Sequence, residues 1–412
     1  MNYNESLIYI HSLSNNLPPT LDRISSLLNL INNPQKELKA IHIAGTNGKG
    51  SVASVIAEVL QSKGYNVGLY TSPFIVDFRE RIKLNGAMIS KTTLAKYATY
   101  LKTVVERNQL TIGEFEFITA ISFLYYKDMK CDYCVLETGL GGRFDATNTA
   151  NSIISVITKI SLDHIQILGS NITDIAYEKA GIIKNNIPLI TCNQPLDAEK
   201  VLLSYAKSHY APIKVTDMDL VTNITINKNE TKFSYKGVDY TINLLGAHQI
   251  ENTIIAIEVL EELIGNFADS KNHYKFPKVF HPARLELVSD NPDIFIDGAH
   301  NPDGAKVLSE FLKQINFKGT IIFGAMKDKN VEEVLKALSS VTSKIIVVTV
   351  NGMPRAMNAQ DIYDIAKKYF NFCVIADSYD DALRLTNNEE TVICGSLYFS
   401  AHIREKLLQN KS

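Results

Sequence analysis

The sequence predicts an α/β protein with two doubly wound, mainly parallel sheets, the second smaller than the first. A chain of 412 residues is too long for one typical core, so two domains are expected. Short apolar stretches alternate with stretches of helical spacing, as in successive strand–helix–strand units. A polar segment at residues 265–282, which holds Pro277 and Pro282, is typical of a linker. We therefore expect an N-terminal domain over residues 1–280 and a C-terminal domain over residues 281–412.

The elements of the first domain follow from its apolar spacing. Residues 4–31 have helical spacing, which Pro18-Pro19 divides into two helices. The strands then expected lie at residues 41–44, 65–70, 133–137, 153–160 and 188–192, and the helices at 52–60, 116–126, 172–181 and 251–264. Residues 213–245 alternate apolar and polar side chains, with turn residues at Asn229 and Gly237, which predicts antiparallel hairpins.

The second domain repeats the alternation on a smaller scale. Its predicted strands lie at residues 293–296, 320–323, 344–350, 372–375 and 391–395. Its predicted helices lie at residues 304–314, 331–338, 361–369, 379–385 and 398–409. Strands that alternate with helices in this way favour a parallel sheet.

Composition excludes several classes of protein. Apolar residues make up 45% and charged residues 21%, as in an ordinary globular protein. The net charge of −2 gives no basic surface field, so nucleic acid is not an expected partner. No apolar run approaches the roughly 18 residues of a membrane span, and residues 1–5 lack the basic start of a signal peptide. We therefore expect a cytoplasmic monomer whose partners are small molecules.

The five cysteines lie at positions 131, 134, 192, 373 and 394. Cys131 and Cys134 have CxxC spacing, but no second pair and no nearby histidine completes a zinc set. Reduced structural thiols are the favoured interpretation, and they agree with a cytosolic setting.

The most informative segment is Gly45-Thr46-Asn47-Gly48-Lys49-Gly50-Ser51, between the first strand and a helix. Glycines let backbone N–H groups approach an anion, and a helix N-terminus adds partial positive charge. Lys49 would neutralise the terminal phosphates of a nucleotide, and the Ser51 hydroxyl could reach a bound Mg²⁺. The spacing is shorter than in the usual P-loop, and Gly50 separates Lys49 from Ser51. The alternative is a glycine-rich turn without a ligand.

Polar residues also follow other predicted strands, at the edge where ligands bind in open α/β sheets. Thr71 and Ser72 close the second strand. Glu137 ends the next one and precedes a glycine-rich segment with Arg143, Asp145 and Asn148. A carboxylate at Glu137 suits Mg²⁺ or its water shell. The alternative is a solvated acid at a strand end.

Two further residues of the first domain have open interpretations. His164 follows another strand, where it could ligate metal or hold phosphate, and its alternative is a structural histidine. Lys179 falls late in a helix. Spacing alone favours a cation that interacts with the helix dipole.

Three candidates belong to the second domain. Asp297 and His300 follow a strand and open a helix, so they could bind sugar and phosphate or simply form and cap the turn. Arg284 lies at the linker, where it could reach nucleotide phosphate or remain a surface arginine. Polar loops at the ends of both sheets suggest one active site between two domains.

Taken together, these residues resemble the folylpolyglutamate synthase/dihydrofolate synthase family of the Mur ligase superfamily. The matching motifs run through nearly the whole chain. They include Leu21-Asp22-Arg23, Gly45 to Ser51, Thr71-Ser72-Pro73, Glu80-Arg81-Ile82, Phe115-Glu116, Glu137 to Asn148, Leu162-Asp163-His164, Glu178 to Lys184, His248-Gln249 with Asn252, Asp297 to Pro302 and Gly395 to Tyr398. The resemblance implies a Mur ligase-like central domain and a Rossmann-like C-terminal domain.

The resemblance also implies an activity, which is the ATP-dependent ligation of L-glutamate to dihydropteroate or a folate through an acyl phosphate. Catalytic roles are implied for Lys49, Lys179 and His300. ATP would be bound by Asn47, Gly48, Lys49, Gly50, Ser51, Asn252, Arg284 and Asp297. Mg²⁺ would be held by Ser72, Glu137 and His164. The pterin would contact Gly113, Glu114, Phe115, Glu116, Phe144 and Asp145.

The resemblance also implies a covalent modification. Lys179 matches the family lysine that is carbamylated, which would turn a cation into an anionic ligand of the metal or phosphate site. One departure affects the ATP residues, since Ala283 stands before Arg284 where the family commonly has glycine. Neither the choice between dihydropteroate and tetrahydrofolate nor the polyglutamate length follows from the sequence.

Two rival functions are also compatible with an ATP-binding loop. A cell-wall Mur ligase shares the ATP chemistry, but it carries a UDP-sugar domain before the P-loop, and only 44 residues precede Gly45. An ATP-binding regulatory protein would keep the loops but would have no need for Glu137, His164 and Lys179 together.

Overall fold

A computed structural model describes residues 1–14, 17–268, 273–279 and 282–409. The chain divides into two compact units. Unit 1 consists of Met1–Leu220 and Glu251–Lys271, and unit 2 of Val221–Ile250 and Asn272–Ser412. Both are α/β units with mainly parallel sheets, as predicted. The predicted domain boundary between residues 280 and 281 falls outside the described residues and stays a prediction. Within the described ranges, no helix is both long and apolar enough to cross a membrane.

Unit 1 is built on an eight-stranded sheet. Its strands are β1 (Ala40–Ala44), β2 (Val67–Tyr70), β3 (Ile82–Leu84), β4 (Ala87–Met88), β5 (Tyr133–Glu137), β6 (Ser152–Ile157), β7 (Leu189–Thr191) and β8 (Ile213–Val215). The first eight α-helices are α1 (Tyr3–Ser12), α2 (Asp22–Leu30), α3 (Lys49–Ser62), α4 (Lys91–Arg107), α5 (Glu114–Asp128), α6 (Ile165–Leu168), α7 (Ile172–Ala180) and α8 (Leu196–Ser208). Helix α9 spans His248–Ile264, and its residues from Glu251 onwards belong to unit 1.

The strand order β4-β3-β2-β5-β1-β6-β7-β8 explains where the candidate residues lie. Strand β1 pairs in parallel with β5 on one side and with β6 on the other. All five residues of β1 are buried, as expected for a central strand covered on both faces. The carboxyl ends of β2, β5, β1 and β6 therefore meet at one edge, and their loops are neighbours.

Unit 2 contains two sheets. The smaller has the order β12-β11-β10-β9, and the larger the order β13-β14-β18-β15-β16-β17. The strands of the smaller sheet are β9 (Val221–Ile226), β10 (Thr231–Tyr235), β11 (Val238–Ile242) and β12 (His273–Lys275). Those of the larger are β13 (Glu286–Asp290), β14 (Asp293–Ile296), β15 (Thr320–Phe323), β16 (Lys344–Val347), β17 (Phe372–Ile375) and β18 (Thr391–Cys394). The helices around it are α10 (Pro302–Gln314), α11 (Val331–Leu338), α12 (Ala359–Ala366), α13 (Tyr379–Leu385) and α14 (Leu397–Gln409).

Two sequence predictions need correction here. The antiparallel hairpins are present in β9, β10 and β11, but residues 213–215 form β8 and pair in parallel with β7. The predicted linker at 265–282 also contains a strand, because β12 pairs with β11. Both strands are only three residues long, so tertiary pairing outweighs their weak local signal.

Candidate active site

The glycine-rich loop joins β1 to α3 and has the shape of a phosphate cradle. Gly48 is the residue before α3 and has φ 89°, while Gly45 has φ 151°. A Cβ on Gly45 would overlap the Thr158 side chain, and one on Gly48 would overlap the amide oxygen of Asn252. The first N–H groups of α3 have no partner within the helix. The loop therefore combines backbone donors with an adjacent asparagine side chain, which suits a bound anion.

Hydrogen bonds to the segment after β6 fix this loop. The Thr46 hydroxyl donates to the carbonyl oxygen of Ser161 at 3.0 Å and accepts from the Ser161 N–H at 3.0 Å. The Thr158 hydroxyl donates to the carbonyl oxygen of Asn47 at 2.7 Å. The Asn47 side chain donates to the Ser161 hydroxyl at 3.4 Å. The loop is thus held open by its neighbour before any ligand binds.

Two lysine side chains meet at one carbonyl of the loop. Lys49 donates from Nζ to the carbonyl oxygen of Gly45 at 3.0 Å and to that of Thr46 at 3.2 Å. Lys179, near the end of α7, donates to the same Gly45 oxygen at 2.7 Å. Lys179 is buried, with a residue exposure of 4%. Lys179 does lie in the last turn of α7, where its charge can interact with the helix dipole, but its Nζ is also held against the glycine-rich loop.

The environment of Lys179 changes its acidity. Burial and, to a smaller extent, the positive charge of Lys49 together lower the pKa of its amine from 10.5 to about 7, against the opposing effect of Asp163 and Asp145. Near neutral pH a large fraction of this amine is uncharged and nucleophilic. The glycine-rich loop at residues 45–51 is called the phosphate-type loop below. An amine with a lowered pKa beside such a loop is a functional candidate.

Two of the three predicted metal ligands are brought together. The backbone N–H of Ser72 donates to Oε2 of Glu137 at 3.0 Å, and Glu137 is buried at the end of β5. His164 lies across β1 in the loop after β6, with its ring 3.7 Å from the Asp163 carboxylate. Within the described residues, no three His, Cys, Asp or Glu side chains cluster as a metal site. Hydroxyl, carboxylate, water and phosphate oxygens would have to complete a Mg²⁺ shell, which suits that ion.

The four predicted pterin residues at positions 113–116 all make contacts within the protein. The Glu116 carboxylate accepts from the Gly113 N–H at 2.7 Å and pairs with Arg23 at 2.8 Å. Glu114 pairs with His11 at 3.3 Å. These contacts fix the start of α5, while the Phe115 ring lies 5.9 Å from that of Tyr70.

Asp145 and Phe144 differ sharply in exposure. Asp145 is buried, and its two oxygens accept from the N–H groups of Gly139, Leu140 and Thr147 and from the Thr147 hydroxyl. Burial raises the pKa of its carboxyl against those hydrogen bonds. Asp145 therefore shapes the loop after β5. Phe144, which is 47% exposed, offers a ring on which a flat ligand could stack.

Unit 2 presents Arg284 and Asp297 near each other. The Asp297 carboxylate accepts from the N–H of Leu285 at 2.8 Å and from that of Ala299 at 2.7 Å. Burial raises the Asp297 pKa, while the nearby charge of Arg284 opposes the shift. The same arginine, together with burial, lowers the pKa of His248 to about 4. Nδ1 of His300 donates to the carbonyl oxygen of Gly298 at 2.8 Å, leaving Nε2 as its acceptor when the ring is neutral.

The backbone around Arg284 is unusual. Ala283 has φ 54° and Leu285 has φ 47°, a left-handed region that glycine adopts at lower cost. A glycine at position 283 would therefore adopt this turn with less strain than the alanine that stands there. The Glu286 carboxylate accepts from the Ala283 N–H at 3.0 Å and helps to hold that geometry.

Several residues at the loops of unit 1 escaped the sequence analysis. Thr46, Thr158 and Ser161 fix the phosphate-type loop, and His42 is completely buried in β1 with Nε2 2.8 Å from the Thr147 hydroxyl. Burial lowers the His42 pKa to about 3, so the ring is neutral. His42 could have been noticed in the sequence, because it is the one polar residue of the apolar strand Ala40–Ala44.

Two family descriptions match the chain. Residues 43–260 match the Mur ligase middle domain. Residues 283–396 match the glutamate ligase domain of Mur ligases. Together they contain every candidate residue of the phosphate-type loop and of the Arg284 region.

Individual relatives match over the full length. The chain is 37% identical to the dihydrofolate synthase/folylpolyglutamate synthase of Bacillus subtilis, over 98% of this chain and 99% of the relative. It is also 37% identical to the folylpolyglutamate synthase of Lacticaseibacillus casei, over 100% of each.

Solved structures share the fold. A Mycobacterium tuberculosis folylpolyglutamate synthase complexed with ADP and AMPPCP has a TM-score of 0.85 at 30% identity, covering 98% of this chain and 99% of that one. A folylpolyglutamate synthase complexed with AMPPCP and folate has a TM-score of 0.82 at 34% identity, covering 99% and 100%. The chain therefore belongs to the dihydrofolate synthase/folylpolyglutamate synthase family, whose members join a Mur ligase middle domain to a glutamate ligase domain.

Proposed function

We propose that this enzyme uses ATP to ligate L-glutamate to the carboxyl group of dihydropteroate, of a folyl-polyglutamate, or of both. The observation that carries the proposal is the glycine-rich loop at residues 45–51, where Lys49 and Lys179 meet at one carbonyl beside the strand-end carboxylate of Glu137. The full-length relatives and the ATP-analogue and folate complexes of similar enzymes support the same chemistry.

The first step joins two negatively charged partners. An oxygen of the acceptor's carboxylate attacks the γ-phosphorus of ATP, the bond to the bridging oxygen breaks, and ADP leaves. Lys49 and the N–H groups at the start of α3 reduce the repulsion by neutralising phosphate charge. The loop is already held by Thr46 and Thr158, so positioning costs little reorganisation.

The second step uses the acyl phosphate formed in the first. The uncharged amine of glutamate attacks the acyl carbon, the carbon–oxygen bond to phosphate breaks, and phosphate and the amide are released. The amine loses one proton in forming the amide. Exclusion of water protects the acyl phosphate until the amine arrives.

A divalent cation fits the residues at the ends of β2 and β5. Glu137 supplies a buried carboxylate and Ser72 a hydroxyl, both of them oxygen ligands of the kind Mg²⁺ prefers. We assign Ser72, Glu137 and His164 as its protein ligands. The ion would supply positive charge to the phosphate oxygens of ATP.

Lys179 is proposed to be carbamylated. Its uncharged amine attacks CO₂, a nitrogen–carbon bond forms while one carbon–oxygen π bond breaks, and one proton leaves the nitrogen, so that the neutral amine becomes an anionic carbamate. The lowered pKa of Lys179 favours this reaction at neutral pH. Lys179→Ala should recover part of its activity when short carboxylates are added, and Lys179 of the wild-type protein should carry the added mass of the carbamate. No extra mass on Lys179 and no rescue would contradict the proposal.

The remaining assignments are proposals with different support. Asn252 is proposed to bind ATP because its amide oxygen lies against Gly48. Arg284 and Asp297 are proposed as the ATP residues of unit 2, and His300 as a residue for phosphate or glutamate. The pterin is proposed to contact Gly113 to Glu116, Phe144 and Asp145, with exposed Phe144 as the stacking ring. The monomeric state and cytoplasmic location stay predictions.

The direct test supplies each acceptor separately. Purified protein is incubated with ATP, Mg²⁺ and glutamate, together with either dihydropteroate or tetrahydrofolate, and the products are identified by mass. A product heavier by one glutamyl residue, with matching phosphate release, is expected for at least one acceptor. Phosphate release that needs neither glutamate nor a pterin would instead identify a simple ATPase.

A further inference from the structure

The position of Lys179 depends on what holds the end of α7. Lys179 is the penultimate residue of this nine-residue helix, and Gly181 follows directly. Its Nζ meets the Gly45 carbonyl across a distance of 2.7 Å. A small rotation or slide of the helix end would break that contact. The residues that fix this end therefore control where the amine lies.

Backbone contacts first bring the helix end against the loop after β5. The Arg143 N–H donates to the carbonyl oxygen of Glu178 at 2.8 Å. A Cβ on Gly142 would come within 2.9 Å of the Lys179 carbonyl oxygen, and one on Gly181 within 2.5 Å of the Arg143 Cα. The two glycines thus allow an approach that larger residues would prevent.

Asn148 then joins the two segments through its side chain. Its amide nitrogen donates to the carbonyl oxygen of Arg143 at 2.9 Å and to that of Gly181 at 3.0 Å. Both protons of the amide are used, one on each segment. Asn148 is buried, so the loss of either bond would leave a carbonyl without compensation by solvent.

Lys184 fixes the orientation of that amide. Its Nζ donates to Oδ1 of Asn148 at 2.6 Å and to the Asn148 carbonyl oxygen at 3.1 Å. Burial lowers the pKa of Lys184 from 10.5 to about 8, and below that pH its ammonium group has only donors, so the oxygen of the amide must face it. The amide nitrogen is thereby directed towards the Arg143 and Gly181 carbonyls.

We propose that Asn148 and Lys184 are positioning residues, which lock the end of α7 to the loop after β5 and so hold Nζ of Lys179 at the Gly45 carbonyl. Neither residue touches the phosphate-type loop in any contact described here, so both act through Lys179. The inference rests on the place of Lys179 in the proposed function.

The chain offers a matched control in Asn66. Its amide nitrogen donates to the carbonyl oxygens of Met129 at 2.7 Å and Lys130 at 3.3 Å, and its oxygen accepts from the Asn85 amide at 2.8 Å. This arrangement resembles that of Asn148. Asn66 precedes β2 and therefore lies at the opposite edge of the sheet from the loops.

The experiment compares Asn148→Ala and Lys184→Met with Asn66→Ala. In CO₂-free buffer, where Lys179 carries a free amine, each lysine of the full chain is labelled competitively with acetic anhydride across a pH series, and the peptides are quantified by mass spectrometry. Wild-type Lys179 should show a labelling midpoint near pH 7. Asn148→Ala and Lys184→Met, called the clamp variants, should each raise the Lys179 labelling midpoint by at least one pH unit, which is a tenfold change in the fraction of uncharged amine. Asn66→Ala should leave that midpoint unchanged.

Kinetics and stability provide the second readout. The clamp variants should lower glutamate-dependent turnover at least tenfold while the Kd for ATP changes less than about threefold. Urea unfolding separates this from simple destabilisation, and Lys184→Met carries the test if Asn148→Ala does not fold. A Lys179 midpoint that stays at the wild-type value in both clamp variants would overturn the proposal. If the midpoint shifts in the clamp variants but the wild-type protein ligates glutamate to no acceptor, the positioning role of Asn148 and Lys184 is supported and the proposed function is rejected.

Discussion

The two loops that present cations in the two units are built in opposite ways. The loop at residues 45–51 takes its shape from Gly45 and Gly48, which have positive φ angles and lie against neighbouring side chains. The turn around Arg284 places non-glycine residues, Ala283 and Leu285, in the left-handed region. Carboxylates of Glu286 and Asp297 accept from the backbone N–H groups of those two residues.

The difference shows two routes to a strained backbone. In unit 1 the residue type lowers the conformational cost, and the absence of a side chain leaves room for Asn252. In unit 2 the conformational cost is retained, and hydrogen bonds from the backbone N–H groups to buried or partly buried carboxylates offset it. Substitutions should therefore affect ligand binding in the first loop and mainly stability in the second.

The largest effect is expected from Lys49→Ala, which removes the cation of the glycine loop. Glutamate-dependent phosphate release should fall at least about 10²- to 10³-fold, since a preorganised group at the transferring phosphate is lost. Lys127→Ala is the control, because Lys127 pairs with Glu37 on the surface at 2.6 Å. Equal turnover in wild type and Lys49→Ala would remove the first loop from the chemistry.

The next effect concerns the buried amine beside that loop. The pKa of Lys179 falls from 10.5 to about 7 on folding, so the unfolded chain binds more protons between these pH values. The stability of the wild type relative to Lys179→Met should therefore rise with pH from 7 to 10, by up to about 1.4 kcal/mol per pH unit. Urea unfolding of both proteins at several pH values measures the difference. A constant difference would show that Lys179 keeps its ordinary pKa.

A glycine pair then separates backbone strain from crowding. Gly48 and Gly64 have φ angles of 89° and 90°, but only at Gly48 would a Cβ meet another side chain, that of Asn252. Alanine at either position should destabilise the fold by about 1 kcal/mol. Only Gly48→Ala should also weaken ATP binding, by about tenfold or more, as measured by calorimetry. Similar ATP affinities in the two variants would contradict the close approach of Asn252.

The smallest effect of a single substitution is expected from Ala283→Gly in the second loop. Ala283→Gly relieves the left-handed strain but increases the entropy of the unfolded chain, so the free energy of unfolding should change by less than about 1 kcal/mol. Ala283→Val adds a branched side chain at a buried position with positive φ and should destabilise by about 2 kcal/mol or more. Thermal unfolding of the two variants decides the point. Equal stability of Ala283→Val and wild type would show that position 283 is not strained.

The contrast between the loops also explains what the sequence could predict. The first loop is predicted by one short segment, which contains an apolar strand, the glycines and Lys49. The alternation of strands and helices predicts both large sheets. The Asp297–Leu285 and Asn148–Gly181 contacts join residues 12 and 33 positions apart, so no local pattern reveals them. Burial of Lys179 was missed for the same reason, because helical spacing does not show which loop a side chain meets.

Short elements mark a second limit. Strands β8 and β12 are each three residues long and are stabilised by pairing with a neighbour. Their sequences carry too few residues for an apolar period to be recognised. The sequence therefore gives the long elements and the residue types of the site, and the structure adds the contacts that hold them.

Isotope transfer tests the central claim that a carboxylate receives the phosphoryl group at the 45–51 loop. The acceptor's carboxyl group is labelled with ¹⁸O, and the phosphate released during glutamate-dependent turnover is examined by mass or ³¹P spectroscopy. Attack of the carboxylate on the γ-phosphorus predicts one ¹⁸O in each phosphate formed. Lys49→Ala should release almost no phosphate. Phosphate without ¹⁸O, formed alongside ligated product, would contradict the acyl phosphate route.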